Sequence, residues 1–192
     1  MGKLQSTKVI RVWILGATLC ATIFVALSLS YDFWAMKTIL DTATNEETTT
    51  YFGLWNKCED KRAGNAPEEP LKPLVKTCEP YGNGNMVAGF EHPPEFMRIT
   101  RGLLIPMTVI LGVATIVIAT VMYLTQRPLV TYASLPLLLG SIIGIIVLGV
   151  FAGSLDHEKD FKTYSAAWCF YYFLIAWFFT ISAFLASLTD RN

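Results

Sequence analysis

Four cysteines and two histidines are the side chains of this sequence best suited to redox, nucleophilic or metal chemistry. Cys58 and Cys78 lie in a polar segment, whereas Cys20 and Cys169 lie in long apolar runs. In an oxidising compartment, Cys58 and Cys78 are expected to form a disulfide. Closing a loop of about 20 residues would stabilise the fold by about 3 kcal/mol in a chain-entropy estimate. Two free thiols are the alternative.

The remaining polar residues do not form a recognisable catalytic set. His92 and His157 lie in different polar segments, and neither accompanies the nucleophile and carboxylate that a catalytic set requires. A metal ion needs more ligands than two cysteines and the distant His92 can supply. The apolar runs hold no carboxylate, lysine, arginine or histidine in their interior, which argues against a pump or coupled transporter. We expect no enzyme activity, no cofactor and no metal site.

Charge is distributed unevenly along the chain. Only 16% of the 192 residues are charged, whereas a soluble domain usually carries about 25%. Four charge-free runs occupy residues 12–31, 102–126, 128–155 and 163–189. About 20 apolar residues in a helix cross the hydrocarbon core of a bilayer. The sequence therefore predicts one domain over 1–192, with transmembrane helices at about 10–31, 102–125, 129–154 and 164–189 and outer loops at about 32–101 and 155–163.

Two features decide how the helices are oriented. The first run could be a cleaved signal peptide, but it is longer than the 7–15 apolar residues typical of one, so we favour a retained helix. The N-terminus, the turn at Arg127 and the tail together hold five basic residues and one acidic residue, whereas the two outer loops hold ten basic and 14 acidic residues. The positive-inside rule predicts cytoplasmic termini in a multi-pass protein of the plasma membrane. No basic stripe indicates nucleic-acid binding.

The first outer loop contains several extended segments, at 34–40, 51–58, 74–79 and 86–90, which indicate a small sheet. Segment 51–58 reads YFGLWNKC. Trp55 could supply its buried apolar mass, with Gly53 allowing close backbone approach. Alternatively, Trp55 lies at the lipid interface as a belt residue. The sequence leaves both interpretations open.

Several residues of the first outer loop match the signature of a known superfamily, and the resemblance covers nearly the whole chain. Trp34, the Gly53-Leu54-Trp55 block, Cys58 and Cys78 occur here between predicted helices 1 and 2. This pattern resembles the superfamily of claudins, PMP22 and calcium-channel γ-subunits, which includes AMPA-receptor regulatory proteins. Either Arg98 or Arg101 would match the family arginine.

The resemblance implies an all-α transmembrane four-helix bundle topped by a small extracellular antiparallel β-sheet. Its signature residues would be structural. The cysteines lie farther apart than in typical claudins, and the last residues lack the hydrophobic C-terminus that PDZ ligands need.

Two groups of residues are candidates for lateral contact with a partner. Small residues let helices approach closely in lipid, and helix 3 carries them at Gly140, Gly144, Gly149 and Gly153. Helix 4 carries aromatic residues all round, including Trp168, Phe170, Tyr171 and Trp177. Packing inside the monomer is the alternative for the glycines, and lipid contact is the alternative for the aromatics.

Two functions fit these observations. The first is an accessory subunit that docks laterally on an ion channel or receptor. The alternative is a claudin-like adhesion or paracellular-barrier protein, with homotypic contacts in cis and trans. The bilayer is a partner in both. The sequence of the helix 4 start, Tyr164-Ser165 followed by Trp168, is similar to the γ-subunit branch and favours the first.

Overall fold

Four long helices account for most of the described chain. The computed structural model describes residues 2–41, 46–63, 75–81, 95–124, 130–157 and 165–190. Helix α1 contacts α2 and α4, and α3 contacts the same two helices, which gives a four-helix bundle. The helices are α1 Gly2–Ser30, α2 Glu95–Leu124, α3 Val130–His157 and α4 Trp168–Thr189. By length and composition, four segments can cross a membrane: Lys8–Ser30, Glu95–Leu124, Tyr132–Ser154 and Trp168–Thr189.

Small residues occupy several of the buried positions of α1 and α4, two helices that are in contact. Ala17 and Ala21 of α1 are buried, as are Ala176, Thr180 and Ala183 of α4. They recur every three to four residues, so they form one face of each helix. Small side chains bring the two helix backbones close, which is how helices gain van der Waals contact within a membrane.

Five strands form one antiparallel sheet at one end of the bundle. They are ordered β4-β3-β2-β1-β5. Ala35 in β1 pairs with Phe52 in β2 on one side and with Ala166 in β5 on the other. Ala35 and Phe52 are buried, so this part of the sheet belongs to the core. The strands are β1 Ala35–Asp41, β2 Glu46–Phe52, β3 Asn56–Ala63, β4 Val75–Pro80 and β5 Ser165–Ala166. The predicted four-helix bundle with a small antiparallel sheet is confirmed.

Several element boundaries differ from the sequence expectation. Helix α2 begins at Glu95, well before the charge-free run, because helical hydrogen bonding need not stop where apolar composition stops. Helix α4 begins only at Trp168, because Ser165 and Ala166 pair with β1 instead. Ser165 and Ala166 thus form β5, the strand beside β1 at one edge of the sheet.

The segment YFGLWNKC is not a single strand. Strand β2 ends at Phe52 and β3 begins at Asn56, so residues 53–55 form the connection between them. Strand β2 was largely unforeseen because its sequence, EETTTYF, has little apolar alternation. The expected strand at 86–90 and the turn at Arg127 lie outside the described residues.

Candidate functional site

The junction between the bundle and the sheet begins at the last turn of α1. That turn has no basic residue, and the final carbonyls of any helix lack intrahelical partners. Two indoles supply donors: Trp34 Nε1 donates to the Ser28 carbonyl at 2.7 Å, and Trp55 Nε1 donates to the Leu29 carbonyl at 2.6 Å. Two tryptophans therefore cap α1 through neutral hydrogen bonds.

The same short segment also caps helix α4. Ala167, at the N-cap of α4, has no side-chain cap. The Ala167 amide instead donates to the Trp34 carbonyl and the Cys169 amide to the Phe33 carbonyl, each at 2.9 Å. The Trp34 side chain thus donates to an unpaired carbonyl at the end of α1, and the backbone carbonyls of residues 33 and 34 accept from unpaired amides at the start of α4. We call this arrangement, formed by Phe33, Trp34, Trp55 and Ala167, the cap junction.

Trp34 provides the buried aromatic mass at the cap junction. Its side chain is fully buried and lies against Phe151 of α3 and Phe173 of α4, with ring centroids 5.2 and 5.9 Å away. Trp55 is 39% exposed. The hypothesis that Trp55 supplies this mass was therefore wrong, because the turn at 53–55 points Leu54, not Trp55, into the core.

Gly53 is required by a close approach between the turn and the end of α1. A Cβ at Gly53 would collide with the backbone and side chain of Asp32. Asp32 Oδ2 accepts a hydrogen bond from Asn56 Nδ2 at 2.6 Å, which clamps the turn against the chain leaving α1. The close backbone approach predicted from the sequence is present. The partner residues Asp32 and Asn56 were not foreseen, since their spacing carries no local signal.

A disulfide and a tyrosine fasten strand β4 to this turn. Cys58 and Cys78 are direct cross-strand partners in β3 and β4 and form a disulfide. Tyr81 follows β4, and its hydroxyl donates to the Gly53 carbonyl at 3.2 Å while its amide donates to the Trp55 carbonyl at 3.2 Å. The predicted disulfide is confirmed, and it makes the sheet one unit with the cap junction.

The two candidate arginines occupy different places. The Arg101 guanidinium lies over the Trp55 ring, 5.0 Å from its centroid, which is a cation–π distance. Arg98 is exposed and lines a surface cavity that Arg101 also lines. Arg101 is thus the arginine that contacts the signature block.

The residues proposed for lateral contact divide between interior and surface. A Cβ at Gly144 would collide with the Trp177 ring, and one at Gly140 would lie 3.2 Å from Leu111. Phe170 stacks on Phe151 with centroids 5.1 Å apart. These contacts place Gly140, Gly144, Trp177 and part of Phe170 inside the bundle, which corrects their assignment to a lateral surface.

The remaining candidates face outward. Beta carbons built at Gly149 and Gly153 would meet nothing within 4 Å. Trp168 is 71% exposed and Tyr171 is 49% exposed. Only this second group, therefore, offers area that a neighbour could cover.

The end of the bundle opposite the sheet has a site that the sequence analysis missed. Arg11 Nε donates to Asp190 Oδ1 at 3.0 Å and to Oδ2 at 3.2 Å. Trp13 Nε1 donates to Ser182 Oγ at 3.1 Å. We call this the tail junction, formed by Arg11, Trp13, Ser182 and Asp190. Arg11 precedes the first charge-free run and Asp190 follows the last, which was an available signal for their pairing.

The arrangement holds elements in place and offers little for chemistry. Among the residues that the structure describes, no group of three or more His, Cys, Asp or Glu side chains could hold a metal ion. The side chains of His92 and His157 lie outside that description.

Four helices that can cross a membrane, a sheet fastened by a disulfide and a tryptophan-capped first helix define a multi-pass membrane protein. The model of the family described as PMP-22/EMP/MP20/Claudin tight junction matches residues 19–188. The chain belongs to this family. Proteins of the family are generally non-enzymatic structural or adhesion proteins of membranes. A search of curated proteins finds no significant match.

Proposed function

We propose that this protein is a non-enzymatic accessory subunit that docks laterally on an ion channel or receptor. The observation that supports this proposal is an outward aromatic stripe on α4. Trp168, Tyr171 and Phe178 are 71%, 49% and 61% exposed. Exposed Ile175 and Leu185 continue the stripe. Their spacing of three, four or seven residues puts all five on one helical face.

The depth of the stripe supports a protein partner. Aromatic residues at the ends of a span are ordinary interface residues. Phe178 lies ten positions after Trp168, which places it about 15 Å deeper along the helix. An aromatic ridge that continues to that depth matches the anchors that carry binding energy in protein interfaces.

Docking could regulate the partner because the sheet is bonded to the helices. The cap junction and the disulfide connect the sheet to α1 and α4. A partner that contacts the α4 stripe in the membrane would therefore meet the sheet in a fixed position. If these contacts differ between two partner states, binding shifts the equilibrium between them. The proposal includes cytoplasmic termini and a plasma-membrane location, supported by the distribution of basic residues.

Affinity purification in mild detergent with quantitative mass spectrometry tests the docking face. The full chain should retain a multi-spanning channel or receptor, and the triple variant Trp168→Ala, Tyr171→Ala, Phe178→Ala should lose it. A matched control substitutes exposed residues of α2: Val109→Ala, Val113→Ala and Ile116→Ala. Retention of the same partner by both variants would refute the α4 face, provided that both variants keep wild-type thermal stability.

The exposed edge of the sheet favours adhesion or barrier formation as a second candidate. Among the described strands, β4 lies at an edge of the sheet, and its Thr77, Glu79 and Pro80 are exposed. Unpaired edge strands can pair with another chain. Expression in cells without junctions should then produce strands and enrichment at cell–cell contacts. Uniform surface distribution would count against this candidate.

In that second function, ion preference would be set by an acidic cluster of the first loop: Glu46, Glu47, Glu59, Asp60, Glu68 and Glu69. The members of this cluster differ in exposure. Glu47 is exposed, but Glu59 pairs with Lys57 at 2.8 Å and Asp60 is buried. Glu68 and Glu69 lie outside the described residues. Among the members of this cluster whose side-chain exposure is described, Glu47, Glu59 and Asp60, only Glu47 is exposed.

A further inference from the structure

A cavity of about 320 Å³ lies beside the first turns of α2. Its lining combines charged and apolar groups: Glu95, Arg98, Ile99, Arg101, Gly102 and Ile105. The chain's proposed docking stripe is on α4, so this cavity belongs to neither that surface nor the cap junction's buried core. The lining is amphipathic, because two guanidiniums lie above a glycine and two isoleucines.

The guanidiniums are available to an anion. Neither Arg98 nor Arg101 forms an ion pair with another residue in the described part of the chain. Arg101 is held in position by its contact with the Trp55 ring, which reduces the side-chain entropy lost on binding a ligand. Glu95 is the one carboxylate in the lining, so the three charged side chains together carry a net charge of about +1. Guanidinium forks match the geometry of phosphate oxygens.

The cavity lies where the charged part of α2 meets its membrane-crossing part. The charge-free run begins at Gly102, and residues 95–101 rise about 10 Å above it. The headgroup region on each side of a bilayer is about 5–7 Å thick, so the arginines reach the level of lipid phosphates. Ile105, Val109 and Val113 continue below the cavity as exposed apolar residues, in position to contact an acyl chain.

We propose that this cavity binds a membrane glycerophospholipid, with the phosphodiester on Arg98 and Arg101 and an acyl chain along Gly102, Ile105 and Val109. Gly102 has open space where a Cβ would be, which leaves room for the chain below the phosphate. The Trp55 contact makes lipid binding sensitive to the position of the signature turn. A bound lipid would thereby connect the sheet to the first turns of α2.

Native mass spectrometry of the full chain in detergent tests the proposal. The probes are dioleoyl phosphatidylglycerol, dioleoylglycerol, which lacks the phosphate, and inorganic phosphate, which lacks the chains. We expect the phospholipid to bind and both fragments to bind at least tenfold more weakly. Arg98→Gln and Arg101→Gln should each weaken phospholipid binding about fivefold, because a basic residue near a membrane surface contributes about that factor.

Lys8→Gln is the matched control, because Lys8 is an exposed basic residue of the opposite end. It should leave phospholipid binding unchanged, and Arg98→Lys should retain most of it. Arg98 is exposed and outside the core, so its variants should fold normally, which a melting curve verifies. Equal binding of dioleoylglycerol, equal binding of inorganic phosphate, or equal weakening by Lys8→Gln would each overturn the proposal.

Discussion

The two ends of the bundle connect α1 to α4 through different kinds of interaction. At the cap junction, indole N–H groups and backbone amides join α1, α4 and the sheet without an ion pair between them. At the tail junction, the Arg11–Asp190 ion pair joins α1 to the residue after α4, beside the bond from Trp13 to Ser182. Neutral donors avoid the desolvation cost of a buried charge. Trp34 of the cap junction can therefore be fully buried, whereas Arg11 keeps part of its side chain in solvent.

The largest expected effect is at the buried tryptophan of the cap junction. Trp34→Ala removes an aromatic side chain from the core and leaves the Ser28 carbonyl without its donor. Large-to-small changes of this kind cost about 3–5 kcal/mol in stability. Thermal unfolding in detergent should show a strongly lowered midpoint. Trp34→Phe keeps most of the ring volume and should be milder, so equal midpoints for wild type and Trp34→Ala would contradict the buried position.

Loss of the disulfide should rank next. The double variant Cys58→Ser, Cys78→Ser releases strand β4 and should cost about 3 kcal/mol in a chain-entropy estimate. We expect increased trypsin sensitivity in the outer loop and reduced surface delivery, with membrane insertion unchanged. Cys20→Ser is the control, since Cys20 is a free cysteine in α1. Wild-type protease resistance in the double variant would argue against a stabilising role of the Cys58–Cys78 disulfide.

The tail junction should be weaker than either feature of the cap junction. Arg11→Gln removes the charged donor that faces the buried Asp190 carboxylate, and weakening the hydrogen bonding of a buried polar group costs about 1–3 kcal/mol. Arg11→Gln combined with Asp190→Asn should recover part of the loss in a double-mutant cycle, because two amides can hydrogen-bond. Simple additivity of the two single variants would show that the pair contributes no coupling energy.

The smallest expected effect concerns the exposed tryptophan. Trp55→Phe removes the bond to the Leu29 carbonyl but retains a ring beneath Arg101. The loss of one hydrogen bond contributes about 1 kcal/mol. The midpoint of thermal unfolding should fall much less than for Trp34→Ala. If Trp55→Phe were the more damaging change, the assignment of Trp34 as the core residue would be reversed.

Much of the fold was predictable because its signals are local. Charge-free runs located the four helices, and Cys58 and Cys78 gave the one expected disulfide. Strand β2 escaped detection because glutamate and threonine predominate in it, and its pairing with β1 and β3 is decided by neighbours distant in sequence. The joining of Ser165 and Ala166 to β1 had no local signal at all, since helices α2 and α3 both lie between the two strands in the chain.

The sequence alone determined which segments can lie in a membrane and which cysteines can pair, because hydropathy and cysteine placement are properties of composition and order. Only the tertiary structure decided that Trp34 is the core tryptophan, that Gly144 lies against Trp177, and that Arg11 meets Asp190. The contact of Gly144 with Trp177 and that of Arg11 with Asp190 depend on how each helix is rotated about its axis, and the burial of Trp34 depends on how the sheet packs on the bundle. A helix that is apolar on every side carries almost no pattern to specify that rotation, so packing against its neighbours must set it.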